Sequence, residues 1–518
     1  MSTIYKTEEK FAILDHKFAE LKKYVMDSAQ QRTAIHLSEK GIFSRLLEMG
    51  RLLLEIFIQQ SGPNHDVENL PRTATEQTLP YKGKSTRTYF SIFGKIKIRR
   101  ARYLKPSGRY HYPLDVRLEL PPSKYSYLLQ KWLQAGAVEN NYRESAERFH
   151  ELFDFSFCPN IVCRMTNGVS RTVDSFYDQS ATPAAETEGE CLAIGLDSKG
   201  VRLVKSERSE RRREEAEAPK ARLGKGEKPG KKKEAMVTVD FSFHPAARSP
   251  EEIVKALLHQ FTTEERLQAA HERQQRRQNN MPEPRVALNK HVRAFLDGRT
   301  AAITYLITRL KKRNPLGNKD IVVLMDGATG LDKSITKTLA EHHLKPRLVA
   351  IILDIIHVTE YLWRAANTLH GETGPNRVQW IHDKLLDILQ SNVGRVIGGL
   401  KQIMTKNQLR SATRRTLQQV ITYFENHRHM MDYKTYLQKG YLISTGLVES
   451  ACGSLVKDRM EQSGMRWTIN GAKSVLALRA VKKNGDWEQF WQTFIEKQTH
   501  KFYADSYQYV PRVYKKAA

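Results

Sequence analysis

The sequence predicts an α/β protein built on a mixed β-sheet. Two apolar runs, CLAIGLD and IVVLMD, have the length of buried strands, and they end in Asp197 and Asp326. A third run, EAMVTVDFSFH, alternates in the manner of a further strand. Across the middle of the chain the patterns follow the order strand, strand, strand, helix, strand, helix, strand, helices. This order is typical of a sheet that is covered by helices.

Composition favours a partner that is a polyanion. The 518 residues include 84 Lys and Arg against 57 Asp and Glu, which gives a formal net charge of +27. Such an excess favours nucleic acid, because bound cations release the counterions of the phosphates. A basic protein without such a partner is the alternative. The four cysteines form no CxxC pair, which argues against a zinc ribbon.

The N-terminal part is predicted to be helical. In residues 8–60 the apolar residues recur at helical spacing, and the second helical run ends at Gly62-Pro63. These helices are interpreted either as a packed element or as an oligomer surface. The polar start of the chain argues against a signal peptide, and no apolar run is long enough to span a bilayer. We therefore expect no membrane partner and a cytoplasmic protein.

A β-hairpin is predicted over residues 86–104, with its turn at Gly94-Lys95. One face of its second strand carries Lys95, Lys97 and Arg99. This row of cations is either a nucleic-acid face or a solvated edge that is protected by its charge.

Three helices with short breaks are predicted between residues 124 and 178. The last of them carries Arg164 and Arg171 on its polar side. Short helices around a tight turn indicate a helix-turn-helix that contacts DNA, although small helical bundles give the same pattern.

A charged segment at 205–233 is predicted to be a flexible loop between strands. It includes Lys231, Lys232 and Lys233, which either clamp phosphates beside Asp197 or belong to a solvated insertion. After it, residues 289–313 have the apolar spacing of one long helix, and residues 373–440 carry only helical signals.

Three acids are the candidate catalytic residues. Asp197 and Asp326 follow strands, and Glu449 begins a helix-like stretch among small residues. Two divalent ions roughly 3.5–4 Å apart can activate the attacking oxygen and stabilise the leaving oxygen of a phosphodiester. Magnesium prefers such oxygen ligands. As alternatives, the aspartates are turn residues and Glu449 favours the positive end of its helix.

Basic residues near these acids are candidate DNA contacts. Lys199 follows Asp197, and Lys457 and Arg459 follow Glu449 on the same helix, where they could hold phosphates.

Ordered segments between about residue 88 and about residue 495 also show a family resemblance. They are LDSKGVRL, KKKEAMVTV, RNPLGNKDIVVLMDGATG, LDIIHVTEYLWRAANTLHGE, MMDYKTYLQKGYLISTGLVESACGSLVKDRMEQSGMRW and LRAVKKNGDWEQFW. Together they resemble the DDE transposases of the ISKra group of bacterial insertion sequences. These enzymes belong to the RNase-H-like superfamily and are similar to Mutator-type transposases.

The resemblance implies an RNase-H-like sheet with Asp197 on its first strand and Asp326 on its fourth. Glu449 would follow an all-α insertion, and the three acids would bind two Mg²⁺ or Mn²⁺ ions. The activity implied is binding of inverted terminal repeats, DNA strand cleavage and strand transfer, by a homo-oligomer at the nucleoid. Asp354 and His357 match a D-x-x-H pair of the Mutator-like relatives.

The resemblance makes His357 an active-site neighbour more readily than a metal ligand, with a helix-capping histidine as the alternative. Arg466 and Trp467 follow the catalytic helix and are candidate DNA contacts, the tryptophan by stacking on an unpaired base. Core packing is the alternative for Trp467. A cysteine pair found around the hairpin of some relatives is absent here, so a metal-stabilised hairpin is not expected.

The expected domain order is as follows. N-terminal helices and the hairpin occupy 1–120, the helix-turn-helix-like DNA-binding region 121–186, the catalytic domain 187–366 and 441–500, the α-helical insertion 367–440, and a basic tail 501–518. Two other functions remain open at this point: a non-catalytic or domesticated DNA-binding protein, and an RNase-H-like nuclease without strand transfer.

Overall fold

The computed structural model describes residues 7–61, 78–153, 155–207, 232–279, 281–406 and 408–504. It confirms a mixed α/β protein with a mixed five-stranded sheet. The chain forms two compact units, one from Met1–Asp178 with Gly485–Ala518 and the other from Gln179–Asn484. Lys231, most of the charged loop before it and most of the basic tail lie outside the described residues.

The first unit contains three strands and eight helices among its described residues. The strands are β1 (Tyr81–Ser91), β2 (Gly94–Leu104) and β3 (Tyr110–His111). The helices are α1 (Thr7–Gln30), α2 (Ile35–Gln60), α3 (Pro113–Arg117), α4 (Tyr127–Ala137), α5 (Tyr142–Phe153), α6 (Pro159–Ser170), α7 (Val173–Gln179) and, near the C-terminus, α20 (Trp487–Tyr503).

The second unit carries the five-stranded sheet. Its strands are β4 (Cys191–Arg202), β5 (Lys232–Phe243), β6 (Leu288–Phe295), β7 (Asp320–Met325) and β8 (Leu348–Leu353). Its helices up to the end of the last strand are α8 (Pro250–Leu257), α9 (Thr263–Gln278), α10 (Arg299–Arg313) and α11 (Leu331–Glu341). Those that follow are α12 (Ile355–His370), α13 (Arg377–Leu389), α14 (Val393–Lys406), α15 (Ser411–His427), α16 (Tyr433–Gln438), α17 (Gly446–Ala451), α18 (Asp458–Met460) and α19 (Ile469–Lys483).

The helices predicted for residues 8–60 are present as α1 and α2, and they form an antiparallel hairpin. Lys10 pairs with Glu55 at 2.9 Å and Lys17 with Glu48 at 3.4 Å between their charged atoms. Successive partners are seven residues apart on each helix, so the same side of each helix faces the other along the hairpin.

The predicted β-hairpin is present, but its turn lies two residues earlier than expected. Ser91 pairs with Gly94, so Ile92 and Phe93 form the turn and Gly94 begins β2 with φ 109°. The alternation is as predicted: Lys95, Lys97 and Arg99 are exposed, whereas the intervening side chains are buried.

Helices α4, α5 and α6 pack around one apolar cluster, which includes Leu129, Leu133 and Phe149. Inside it, the buried Thr166 hydroxyl donates to the Gln134 side-chain oxygen at 2.8 Å. The first two helices predicted in this region are therefore confirmed, whereas the third is divided by a turn at residues 171–172 into α6 and α7. Arg164 is exposed on α6, and Arg171 is exposed in that turn.

The strands of the second unit lie in the order β6-β5-β4-β7-β8. Strand β5 is antiparallel to both of its neighbours, whereas β4, β7 and β8 are mutually parallel. Leu196, Met325 and Leu353 are in register across these three parallel strands. Strands β7 and β8 end at this row, whereas β4 continues to Arg202 alongside β5. The carboxyl ends of β7 and β8 therefore lie beside the middle of β4, and the carboxyl ends of parallel strands are where ligands bind in open α/β sheets.

The prediction of one helix over 289–313 is wrong. The segment forms the edge strand β6 and then α10, with Gly298 between them at φ 92°. The apolar spacing was compatible with a helix. The free edge of β5, however, satisfies the backbone groups of residues 288–295, and Val292 gains a further hydrogen bond from its amide to the Asn484 side chain.

A buried ionic network fixes α10 to the sheet. Arg313 is fully buried and pairs with Glu188 at 2.6 Å and with Asp240 of β5 at 2.7 Å. Arg309 reaches the same aspartate at 3.0 Å. Since two arginines share one buried aspartate with a second acid alongside, the charges are compensated where water is excluded.

The region after β8 is helical, as predicted. Asp354 caps α12, and its side chain accepts a hydrogen bond from the amide of Ile356 at 2.9 Å. Helices α13 to α16 then lead to Gly446, where α17 begins. Among the described helices, none is long and apolar enough to cross a membrane.

Candidate active site

Three aspartates lie beside this aligned row. Asp326 directly follows β7, as predicted, and Asp354 follows β8. Asp197 was predicted to follow its strand but lies inside β4, because β5 continues to pair with β4 as far as Arg202. Asp197, Asp326 and Asp354 each come directly after a member of the aligned row in β4, β7 and β8. The amide of Asp354 donates to the carbonyl of Met325 at 2.8 Å, which continues the ladder to this level. The sheet thus brings together the two aspartates that the sequence predicted and adds a third between β8 and α12.

Glu449 reaches this edge because α17 lies directly on β4. A β-carbon at Gly195 would overlap with Cγ2 of Val448, so only glycine permits this approach. Gly195 and Asp197 are two residues apart in a strand, and their side-chain positions therefore share one face. Val448 occupies that face, and Glu449 is the next residue.

A second contact fixes α17 from the neighbouring strand. The Thr445 hydroxyl, at the start of α17, donates to one carboxylate oxygen of Asp354, and the Ile356 amide donates to the other. Asp354 is completely buried, and its burial raises its pKa. This aspartate joins the helix that carries Glu449 to the end of β8.

Helix α15 holds the loop that follows β7. The Tyr423 hydroxyl donates to the backbone carbonyl of Asp326 at 2.9 Å, and His427 Nε2 lies 2.8 Å from the carbonyl oxygen of Gly327. Gly327 has φ 87°, and a β-carbon there would lie 2.9 Å from His427 Nε2. The carboxylate of Asp326 accepts from the Ala328 amide at 2.9 Å, which sets its orientation.

Among the described residues, Asp354, His357 and Glu449 form a group of possible metal ligands whose ligand atoms lie within 4.8 Å of one another. Of the three predicted metal ligands only Glu449 belongs to this group, and Asp197 and Asp326 do not. His357 Nε2 lies 3.6 Å from Glu449 Oε1, and its Nδ1 lies 3.3 Å from Glu360. Burial raises the pKa of Glu449, and the nearby Asp354 raises it further. Carboxylates that oppose each other's ionisation in this way suit a bound cation.

The hydrogen bonds distinguish the roles of these acids. Both oxygens of Asp354 already accept from protein donors, so we assign it mainly to positioning. Glu449 and the half-buried Asp197 and Asp326 keep oxygens available for a hard cation. His357 lies within reach of Glu449, as expected for an active-site neighbour. Because its ring nitrogen and the Glu449 carboxylate lie close enough to share one ion, His357 is also a candidate metal ligand.

Cys452 is the first residue after α17 and begins a π-helical turn over Cys452–Lys457. Burial raises the pKa of its thiol, and the adjacent Asp197 carboxylate adds to this effect. The thiol therefore stays protonated beside Asp197. It is a small buried side chain.

Two predicted DNA contacts need correction. Arg459 is 1 % exposed and Trp467 is 6 % exposed, and the guanidinium lies 4.8 Å from the indole centroid. The indole nitrogen donates to the carbonyl of Met460 at 3.1 Å, and the Trp467 backbone bonds to Arg202 and Val204. Both side chains stabilise the core next to β4, so neither is available to a base or a phosphate.

The other predicted cations remain accessible. Lys457, Arg466 and Lys232 are exposed, whereas Lys199 and Lys233 are half-buried. Lys232 lies 3.8 Å from Glu461, which partly offsets its charge.

A basic groove that adjoins Asp326 was not predicted from the sequence. It has a volume of about 1150 Å³, and its basic side chains are Arg364, Arg414 and Arg415. Arginines on exposed helix faces are common, so only the packing of α12, α14 and α15 identifies these three as neighbours.

Comparison of the chain with known protein families, and with individual curated proteins, found no match in either case.

Proposed function

We propose that this chain is a metal-dependent DDE transposase with an RNase-H-like catalytic domain. The observation that carries the proposal is the placement of Asp197 and Asp326 on adjacent parallel strands, with Glu449 delivered to the same edge by α17. An antiparallel β5–β6 pair beside three parallel strands is in keeping with that fold. The resemblance of the sequence to ISKra-group transposases supports the same conclusion.

The carboxylates of Asp197, Asp326 and Glu449 would hold two Mg²⁺ or Mn²⁺ ions, which activate the attacking oxygen and stabilise the leaving one. His357 orients Glu449, and Asp354 positions α17 through Thr445. In cleavage, a water oxygen bonds to phosphorus and the 3′ oxygen leaves with a proton. In strand transfer, that 3′ hydroxyl attacks a phosphodiester of the target and displaces its 3′ oxygen.

The test uses purified protein and DNA from either side of its gene, with Mn²⁺ or Mg²⁺. Asp326→Asn and Glu449→Gln should abolish cleavage and joining while DNA binding persists, because they remove metal ligands and leave the basic surfaces intact. Asp383→Asn, an exposed acid on α13, is the matched control and should retain activity.

Product gels separate the related functions. Joined products support a transposase, whereas cut ends alone would mean a nuclease of the same fold. Equal activity of Asp326→Asn and the unchanged protein would contradict the metal role. An intact protein that binds the ends but never cuts them would be a non-catalytic DNA-binding protein.

The partners that belong to this proposal are double-stranded DNA and a second copy of the chain. The exposed residues of α6, with Arg164, and of the hairpin, with Lys95, Lys97 and Arg99, supply cations for duplex phosphates.

Self-association is supported by the α1–α2 hairpin. Ten large apolar side chains on it are 42–81 % exposed: Phe11, Phe18, Val25 and Met26 on α1, and Ile35, Leu37, Phe43, Leu46, Leu53 and Phe57 on α2. At roughly 80 Å² for each half-exposed side chain, they offer about 800 Å², the area that one partner contributes to a stable interface.

A further inference from the structure

An open groove runs from Asp326 along the helices that follow the sheet. Its walls are α12, the end of α14 and α15, and its end is formed by the loop Asp326–Thr329 after β7. With a volume of about 1150 Å³, it is larger than the usual site of a small ligand. The groove therefore suits a polymer that passes the acid.

The charged side chains that line the groove are mostly positive. Arg364, Arg414 and Arg415 line it and are exposed, and among the described residues no carboxylate forms an ion pair with them. Asp326 is the only acid in the lining. Three uncompensated guanidinium groups on facing helices attract a chain of phosphates, since guanidinium matches the geometry of phosphate oxygens.

Aromatic rings connect these cations to Asp326. Tyr361 of α12 and Tyr423 of α15 stack with their centroids 3.8 Å apart and their planes at 4°. Arg364 lies over the Tyr361 ring at 4.7 Å, and Tyr423 donates its hydroxyl to the Asp326 backbone. Arg364 is thus held at a defined place along the groove rather than extended into solvent.

We propose that this groove binds a single strand of DNA, whose phosphates contact Arg364, Arg414 and Arg415 and whose backbone leads to Asp326. A positively charged groove that follows the backbone is how proteins bind unpaired strands. The two stacked rings contribute by holding Arg364 in place. The proposal rests on the function proposed above for the identity of the polymer, and it adds where the strand lies next to the cleavage site.

The test measures binding without catalysis. The full-length protein in EDTA is titrated into a fluorescent single-stranded oligonucleotide and, separately, its duplex, at several salt concentrations. Replacing all three arginines by alanine should weaken single-strand binding about tenfold or more. The slope of log affinity against log salt concentration should also become shallower by about 2, because each lost phosphate contact removes roughly 0.7 from that slope.

A matched variant controls for loss of net charge. Lys384, Arg395 and Lys401 are cations of α13 and α14 that pair with Asp387 or Glu425 and do not line the groove. Their triple alanine variant loses the same three charges and should bind within about twofold of the unchanged protein. The assignment would be overturned if both triple variants lost the same affinity for the single strand. It would also be overturned if the arginine variant lost affinity for the duplex alone.

Photo-cross-linking tests the contact directly. An oligonucleotide with 5-iododeoxyuridine should cross-link to peptides of α12 or α15, which carry Tyr361 and Tyr423. Cross-links found only outside these helices would contradict the proposal, and thermal unfolding of the variants shows whether they are folded.

The two proposals can fail separately. Binding through the groove without any metal-dependent cleavage would leave this inference standing and remove the catalytic one. Cleavage of ends by a protein whose groove variants bind like the control would remove only the groove.

Discussion

At the residue scale, the site depends on glycines as much as on acids. Gly195 has no chemistry of its own, yet it admits Val448 to the face of β4 that bears Asp197. Gly327, with φ 87°, likewise lets the loop after β7 approach His427. Both positions permit close approach of backbone and side chain, which any β-carbon would prevent.

Replacement of Gly195 tests this arrangement. Gly195→Val should displace α17 and with it Glu449, so cleavage should fall although all acids are still present. Overpacking of this kind costs about 1–3 kcal/mol of unfolding free energy. Denaturant unfolding and the cleavage assay measure the two effects.

The control for this variant is a second substitution. Val448→Ala removes the methyl group that Gly195→Val would strike, so the double variant should recover part of the lost activity. If Gly195→Val alone cleaves DNA normally, α17 is not held where its contact with β4 places it.

At the element scale, the α1–α2 hairpin has ion pairs between its two helices and large apolar side chains that are exposed to solvent. Its ion pairs lie where the helices face each other, at Lys10–Glu55 and Lys17–Glu48. Phe11 and Phe18 each come one residue later, about 100° around an ideal helix. A helix pair that leaves so much apolar surface in water is expected to bury it against another surface.

Self-association through this hairpin gives an element-scale prediction. Phe18→Ser with Phe57→Ser should shift the protein from dimer to monomer, because both side chains are at least half exposed and apolar. Each tenfold loss of dimer affinity corresponds to about 1.4 kcal/mol. Sedimentation equilibrium measures the shift.

Leu267→Ser is the control for that shift. Leu267 is 66 % exposed on α9, outside the hairpin, so its loss should not change the mass. A protein that is monomeric at all concentrations before mutation would contradict the proposed interface.

At the scale of the whole molecule, every candidate catalytic residue belongs to one continuous unit. Gln179–Asn484 contains the sheet, the acids and the groove, whereas the other unit is formed from both ends of the chain. Expressed alone, residues 179–484 should unfold in a single cooperative transition. Mn²⁺ should stabilise them, by about 2.7 kcal/mol at a hundredfold excess over its dissociation constant.

Calorimetry with and without Mn²⁺ checks this expectation. The same fragment with Asp326→Asn and Glu449→Gln should unfold cooperatively but gain no stability from the ion. A fragment without a cooperative transition would show that the unit needs the rest of the chain.

Local sequence patterns predicted much of the secondary structure correctly. They failed where tertiary contacts determine the structure of a segment or the burial of a side chain. The runs that end in Asp197 and Asp326 are long and apolar and fit a buried sheet, and the hairpin alternates cleanly. Residues 288–295 were predicted to be helical because their apolar spacing fits either structure, and only the free edge of β5 makes them a strand. Arg459 and Trp467 have polar or aromatic groups suited to DNA, but packing against each other buries them.

The amino-acid sequence by itself determined the alternation of strands and helices, the cationic balance and the three acids worth considering, since these follow from local periodicity and composition. The tertiary structure alone decided that Asp197, Asp326 and Asp354 share a level, that Gly195 and Thr445 seat the helix of Glu449, and that three arginines border one groove. Residues far apart in the sequence become neighbours only through strand register and helix packing, and neither can be deduced from any local stretch of the chain.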